Sequence, residues 1–324
     1  MSSFQEQLIP DEKPLVVWRF IDGKAGHEAQ TLGLVQALAR RRTVECVDFE
    51  APGRWKAAWS WLTGSFPEGA DLSEPDLIIG AGHRTHFSLL AARRAYGGKT
   101  VVLMKPSVPA SLFDLCLVPQ HDAPRSAANV IETVGVLNPM QPAANARAGR
   151  GLLLIGGPSK HHGWHTAALV GQVQQVLAAD REMQWVLTTS RRTPEDCEAA
   201  LVALDEPNLK VVPVGETQRG WVAERLQECA SAWVSEDSVS MVFEALTAGA
   251  AVGLLSVPSL GVHSRVHVAA ESLLEAGRVV RFEECLKAGD FTLPPSSNPL
   301  AEADRCADEI LTRFCLSEGE LLEA

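Results

Sequence analysis

Residues Trp233 to Pro258 read WVSEDSVSMVFEALTAGAAVGLLSVP, and the succession of strand, tight turn, helix and strand within them decides the fold class. Trp233 and Val234 end a first strand; Ala251 to Val257 form a second, closed by Pro258, which cannot continue a central ladder. Between them Val239, Met241, Val242, Ala245, Leu246 and Ala248 share one broad helical face, with Ser240, Glu244 and Thr247 in a narrow polar stripe. Gly249 stops the helix. In the turn Ser235-Glu236-Asp237-Ser238 either Asp237 or Ser238 can cap it. A helix start at the carboxyl edge of a parallel sheet suits ligands and anions, although the acidic pair disfavours a bare phosphate on the turn itself. Glu244, one turn deeper, suits two vicinal hydroxyls, as on a ribose. It equally suits a solvated helix face, and spacing alone does not choose.

The same grammar recurs upstream. Leu152 to Ile155 is a strand that runs into Gly156-Gly157-Pro158-Ser159-Lys160-His161-His162-Gly163, followed by a helix from His165 to Ala179. Amides of Gly156 and Gly157 in such a loop can cradle a diphosphate, with Ser159 and Lys160 adding a hydroxyl and a charge. The spacing is not G-x-x-x-x-G-K-[ST], so a P-loop nucleotidase is set aside. Trp185 to Thr188 is the next strand; Arg191 and Arg192 at its end read either as a forked phosphate contact or as a solvated turn. A helix over 195–204, an extended Val211 to Val214, a helix over 220–230, helix-like spacing over 270–290 and an amphipathic helix over 299–316 complete this half. His161, His162 and His165 suggest a metal, but no compact set of acidic or cysteine partners accompanies them, and none is expected to be bound.

The first half repeats the pattern. The strand LVVWRF (15–20) leads into Ile21-Asp22-Gly23-Lys24-Ala25-Gly26-His27-Glu28 and a helix over 31–38. Gly23 and Gly26 allow a tight turn with space for a ligand, and His27 falls in the first helical turn, where an imidazole is either a hydrogen-bonding residue or a general base. Strands at 44–49, 77–79, 100–104 and 114–118 follow, the second opening into Gly80-Ala81-Gly82-His83 before a helix over 87–96. Polar groups thus gather repeatedly at carboxyl ends of strands, where α/β folds place ligands. Residues 138–150, NPMQPAANARAGR, have no apolar period and are the expected linker between an N-terminal domain, 1–140, and a C-terminal one, 150–324, with the final helix free to pack back on the first.

The chain has 324 residues, 29 basic against 40 acidic, for a net charge of -11. A length of this order fits two domains, and the acidic balance argues against nucleic-acid binding. A short basic segment, Arg40 to Arg42 with Arg54 and Lys56 beside Trp55, Trp59 and Trp61, leaves open a peripheral contact with an anionic membrane. There is no signal-peptide pattern and no apolar run long enough to span a bilayer. Seven cysteines without C-x-x-C spacing point to a reducing cytosol. No G-x-S-x-G elbow is present, so serine hydrolysis has no support.

In their order GKAGHEAQTLGLVQALA, PDLIIGAGHRTH, LLLIGGPSKHH, SEDSVSMVFEALTAGAAVGLLSVP and HSRVHVAAESLLEAGRV resemble a GT-B glycosyltransferase, distantly the peptidoglycan GlcNAc transferase. SEDSVSMVFEALTAG, GGPSKHH and TTSRRTP are more closely similar to the plant mitochondrial fission (elongated-mitochondria) family and its bacterial relatives, over nearly the whole chain. The GT-B resemblance implies two Rossmann-like domains facing across a cleft. It implies a nucleotide-sugar donor as co-substrate, its ribose on Glu244, its diphosphate against Gly156, Gly157 and Ser159, and Ser238, Ser240 and Met241 lining the pocket. It makes His27 the catalytic base and puts Gly23, Gly26, Gly80, Gly82 and His83 on the acceptor side. Lys160 and Arg191 would help to stabilise the leaving diphosphate in a metal-independent, inverting transfer to an envelope glycan or lipid-linked acceptor, in the cytoplasm or at the inner face of the membrane. Ala251, where such enzymes carry proline, and Pro158 with Lys160 in the glycine loop depart from the pattern. The fission family implies the alternative, a non-catalytic GT-B scaffold that recruits a protein partner.

Overall fold

A computed structural model describes residues 13–144, 147–261, 265–293 and 299–316. The first twelve residues, linker positions 145 and 146, residues 262–264 and 294–298 and the acidic end from 317 lie outside the described residues. The chain divides into two compact units: Met1–Val118 with Arg125–Glu132 and Ala303–Ala324, and Pro119–Pro124 with Thr133–Glu302. Both are α/β, and each is built on a six-stranded sheet.

In the first unit the strands are β1 (Leu15–Ile21), β2 (Val44–Glu50), β3 (Leu77–Ala81), β4 (Lys99–Leu103), β5 (Leu115–Pro119) and β6 (Val130–Thr133), in the order β2-β1-β3-β4-β5-β6. β1 pairs in parallel with both β2 and β3, and β3-β4 and β4-β5 are also parallel. Burial on both faces explains the continuous apolar runs of β3 and β5, which are buried at every position. Helices α1 (Ala25–Ala39), α2 (Arg54–Thr63) and α3 (His86–Tyr96) connect the early strands. One face is filled by aromatic rings: Trp18 lies 5.1 Å from Phe49, 5.8 Å from Phe66 and 5.2 Å from Tyr96 between centroids. Strand β6, only VIET, is absent from the sequence reading because four residues leave no period to detect.

The second unit has β7 (Arg147–Leu154), β8 (Gln184–Thr188), β9 (Leu209–Val212), β10 (Cys229–Ser235), β11 (Ala251–Leu255) and β12 (Val279–Arg281) in the order β12-β11-β10-β7-β8-β9, parallel throughout. Helices α4 (Thr166–Ala179), α5 (Glu195–Val202) and α9 (Phe282–Ala288) pack on one face. On the other are α6 (Trp221–Leu226), α7 (Val239–Ala248) and α8 (Arg265–Glu275). The last helix, α10 (Glu302–Arg313), follows. Three expectations change. Strand β7 begins at Arg147, so the end of the stretch read as linker is strand; its polar start had hidden it. Residues 229 and 230 open β10 instead of extending a helix. The helix-like run over 270–290 contains β12 between two helices, since three strand residues do not break a helical period. In α7, Thr247 is buried rather than on a polar face: its hydroxyl donates to the Phe243 carbonyl at 2.7 Å and accepts from Asn138 at 3.1 Å.

Two tryptophans set the fit of the second sheet. Trp233 on β10 is in register with Gly253 on β11, and Trp185 on β8 with Gly151 on β7. A Cβ at either glycine would overlap the indole beside it. Large and small residues interlock across neighbouring strands, so the pair must be kept together. Replacing Gly253 with alanine is expected to lower stability by about 1–3 kcal/mol in thermal or urea unfolding. Gly171, inside α4 with nothing within 4 Å of an added Cβ, gives the opposite sign: Gly171→Ala should stabilise by about 0.4–1 kcal/mol.

Candidate functional site

In the second unit the loops after β7, β8 and β10 are tied together by one carboxylate. The Asp237 side chain is fully buried. Its Oδ1 accepts from the Ser235 hydroxyl at 2.7 Å; its Oδ2 accepts from the Gly157 amide at 3.0 Å and from the Arg192 guanidinium at 2.8 Å. The Gly156 amide donates to the Ser235 hydroxyl at 2.7 Å, and Arg192 Nη1 donates to the Gly157 carbonyl at 2.5 Å. A buried carboxylate with donors of this kind is held in place, since leaving it unpaired would cost several kcal/mol.

This network revises the reading of the glycine loop. Gly156 and Gly157 are glycines because the Asp237 carboxylate and the Arg192 backbone fill the space a Cβ would need. Their amides, expected on a diphosphate, already have internal acceptors. Asp237 therefore does not cap α7; Ser238 occupies the N-cap, is buried and makes no side-chain cap bond. Arg192, and not Arg191, reaches the loop; Arg191 is exposed, as is Lys160. The Ser159 hydroxyl accepts from the His161 and His162 amides, both at 3.1 Å, so it closes its own turn. His162 is buried with Nδ1 unpartnered among the described residues, and burial holds its pKa down. The donors left at this edge are the first-turn amides of Val239, Ser240 and Met241, which have no acceptor among the described residues. Ser240 is exposed and Met241 half-buried.

Glu244 lies one turn into the same helix. It is half-buried, no hydrogen bond or ion pair engages it among the described residues, and burial pushes its pKa up to about 7. That is not the behaviour of a solvated helix face. A carboxyl group without a partner, on the helix that starts at the sheet's carboxyl edge, can accept hydrogen bonds from hydroxyls brought by a ligand. By contrast Glu236, also raised by burial, is engaged at 2.9 Å by Arg281 and pulled back by it.

In the first unit the β1–α1 turn builds a second constellation. Asp22, whose side chain is fully buried, takes the Lys24 amide on Oδ1 at 3.2 Å and holds His27 Nδ1 on Oδ2 at 2.9 Å. Gly23 has φ +80°, the left-handed conformation the turn needs. His27 is the third residue of α1, and Gly82, φ +81°, lies against its ring so closely that a Cβ would overlap the imidazole. A buried carboxylate on Nδ1 fixes the tautomer and leaves Nε2 to exchange a proton. Asp22 was not singled out in the sequence, where it reads as a turn residue; its place five residues before His27, across a glycine turn, was the available signal. Gly26 stands inside α1 with open space around it, and His83 is exposed. Gly80 is buried under Thr85 and Leu89, so it serves packing and not an acceptor.

The basic segment also changes meaning. Arg40 and Arg41 pair with Asp304 and Asp308 of α10, and Arg42 donates to the carbonyls of Leu316 and Lys13. Trp61 packs 5.6 Å from Phe87, while Trp55, Trp59 and Leu62 remain exposed along α2. Among the described residues no group of three or more His, Cys, Asp or Glu is placed to hold a metal ion, and no helix is long and apolar enough to cross a membrane.

Over residues 25–314 the chain matches the family described as Mitochondrial fission ELM1. No curated protein matches it in sequence. Among solved structures it is similar to MurG of Acinetobacter baumannii (14% identity, 92% of this chain and 100% of that one, TM-score 0.54). It is also similar to UDP-GlcNAc 2-epimerase of Methanocaldococcus jannaschii (9%, 93% and 100%, TM-score 0.59). A third likeness is to the Neisseria meningitidis UDP-GlcNAc 2-epimerase bound to UDP-GlcNAc (11%, 93% and 99%, TM-score 0.51). At these identities the likeness establishes the GT-B-like fold of two Rossmann-like domains. Within the second unit, Asp237→Ala is expected to lower stability by about 1–3 kcal/mol, because the Gly157 amide and Ser235 hydroxyl lose their buried acceptor. Arg191→Ala, at an exposed position, should change stability by less than about 0.5 kcal/mol in the same denaturation series.

Proposed function

We propose, for a chain that belongs to the mitochondrial fission ELM1 family, that its C-terminal unit binds a nucleotide-linked sugar and that the protein transfers this sugar to an envelope glycan or glycolipid. The observation that carries the reading is Glu244: a half-buried carboxyl, unpartnered among the described residues and with its pKa raised to about 7, on the helix of the strand–turn–helix unit. It takes the ribose hydroxyls. The diphosphate is assigned to the first-turn amides of α7, where the helix dipole favours negative charge, with Lys160 and Arg191 as mobile cations. Gly156, Gly157 and Ser159 shape the loop from behind through Asp237 and Arg192, and Ser238, Ser240 and Met241 border the ligand.

On the acceptor side, His27 Nε2 takes the proton of the attacking hydroxyl as the bond from the sugar to the diphosphate breaks, with inversion at the anomeric carbon. Asp22 holds Nδ1 and so orients the ring. Gly23 and Gly82 hold that pair in place, while Gly26 and His83 border the acceptor. No step calls for a metal. The reaction belongs to the cytoplasm, with any peripheral contact to the inner membrane face made through Trp55, Trp59 and Leu62.

A second reading is favoured by a specific observation, that Asp237 fills the place beside the glycine loop: the fold then serves as a non-catalytic scaffold for a protein partner. Titration with UDP, GDP and ADP separates the two. The transferase reading expects at least one to bind, and binding of none leaves the scaffold. Ribose hydroxyls favour the ionised carboxylate, so affinity should rise between pH 6 and pH 8 as Glu244 loses its proton. Glu244→Gln should flatten that rise and weaken binding at pH 8 by about tenfold or more. Stability moves the other way: the unfolded carboxyl ionises near 4.5 and the folded one near 7, so the folded state holds the extra proton in that window. The contribution of this group to stability is therefore lost as pH rises through it, and Glu244→Gln should abolish that loss. His27→Asn and Asp22→Asn should each lower the rate of sugar transfer, the first by about 10²–10⁴, with nucleotide affinity unchanged.

A further inference from the structure

The opposite, amino edge of the second sheet carries a groove of about 400 Å³ that the proposed reaction does not use. Its volume is within the range of small-molecule sites. Half-buried Val186 and Leu209 give it apolar lining, and Arg150, Lys210, Arg225 and Glu228 give it charge. Three cations face one carboxylate in a chain whose net charge is -11. Glu228 Oε2 pairs with both arginines, Arg150 at 3.2 Å and Arg225 at 3.0 Å, which gathers their guanidinium groups beside the groove. The Arg225 guanidinium also lies 5.9 Å over the Trp221 ring. Its Nε is buried and has no acceptor among the described residues, while the rest of the side chain stays about one-third exposed. Lys210 is exposed, with no ion pair among the described residues.

We infer that this groove binds a small organic anion, with a flat apolar body against Val186 and Leu209 and a carboxylate or phosphate head met by Arg150, Lys210 and Arg225. The head pairs with the exposed parts of Arg150, Lys210 and Arg225 and balances the excess positive charge; the body displaces water from the apolar lining. The site lies at the other edge of the sheet from Glu244 and stands or falls independently of nucleotide binding.

The test is isothermal titration of the full chain with 1-naphthoate, 1-naphthyl phosphate and the neutral 1-naphthamide. One of the two anions should bind at a single site, at least tenfold more tightly than the amide, and the stronger of them identifies the head. Lys210→Glu, at an exposed position and expected to leave the circular dichroism spectrum unchanged, should weaken that anion at least tenfold, whereas Glu244→Gln should not change it. Absence of binding by both anions, equal binding of the amide, or equal affinity in Lys210→Glu would each overturn the assignment.

Discussion

The carboxyl edge of the second sheet depends on the charge of Asp237 being neutralised where no water reaches it. Arg192 supplies the cation, Ser235 and Gly157 the remaining donors, and in doing so they bring together the ends of β7, β8 and β10. Because the carboxylate is buried, each of these loops must hold its position: a shift of any one strands a charge or an amide. Glycine at 156 and 157 follows from that requirement, as the carboxylate and the Arg192 backbone occupy the volume of a side chain. Rigidity at this edge is therefore electrostatic in origin, and the starting point of α7 is fixed by it.

The acidic side chain just before this helix, Asp237, and the one within it, Glu244, have opposite fates. Asp237 meets three donors and is structural. Glu244 meets none among the described residues, and burial alone moves it to about 7. A carboxyl whose ionised form finds no donor among the described residues is one that a ligand's hydroxyls can engage, which is why the proposed function rests on Glu244 and not on the glycine loop. In the first unit a buried acid follows the same logic: Asp22 takes the Lys24 amide and one ring nitrogen of His27, while the other ring nitrogen has no hydrogen bond among the described residues.

Much of the architecture could be read from the chain because strand, glycine turn and helix recur with clear periods. The elements that escaped are short or polar: β6, β12 and the Arg147 end of β7 are too brief, or too hydrophilic, to show alternation. Site residues were legible by position but not by role. Gly156 and Gly157 read as a diphosphate cradle, yet what lies against them is Asp237, eighty residues beyond Gly157, and sequence spacing carries no information about such a pairing. The choice between Arg191 and Arg192 turned on which way one residue faces after β8. Glu244 was left open between a ribose contact and a solvated face, since exposure depends on packing that periodicity does not report. The basic triplet 40–42 is legible as charge; that α10 pairs with Arg40 and Arg41 is tertiary information.

The central claim, that Glu244 is an unpaired carboxyl waiting for a ligand's hydroxyls, is tested most directly by its own titration. Carbon NMR of side-chain-labelled glutamate, assigned through Glu244→Gln, would follow the carboxyl across pH with and without a saturating nucleoside diphosphate. The account predicts a midpoint near 7 in the free protein that falls when the nucleotide binds. An ordinary midpoint near 4.5 in the free protein, or a raised one indifferent to bound nucleotide, would contradict it.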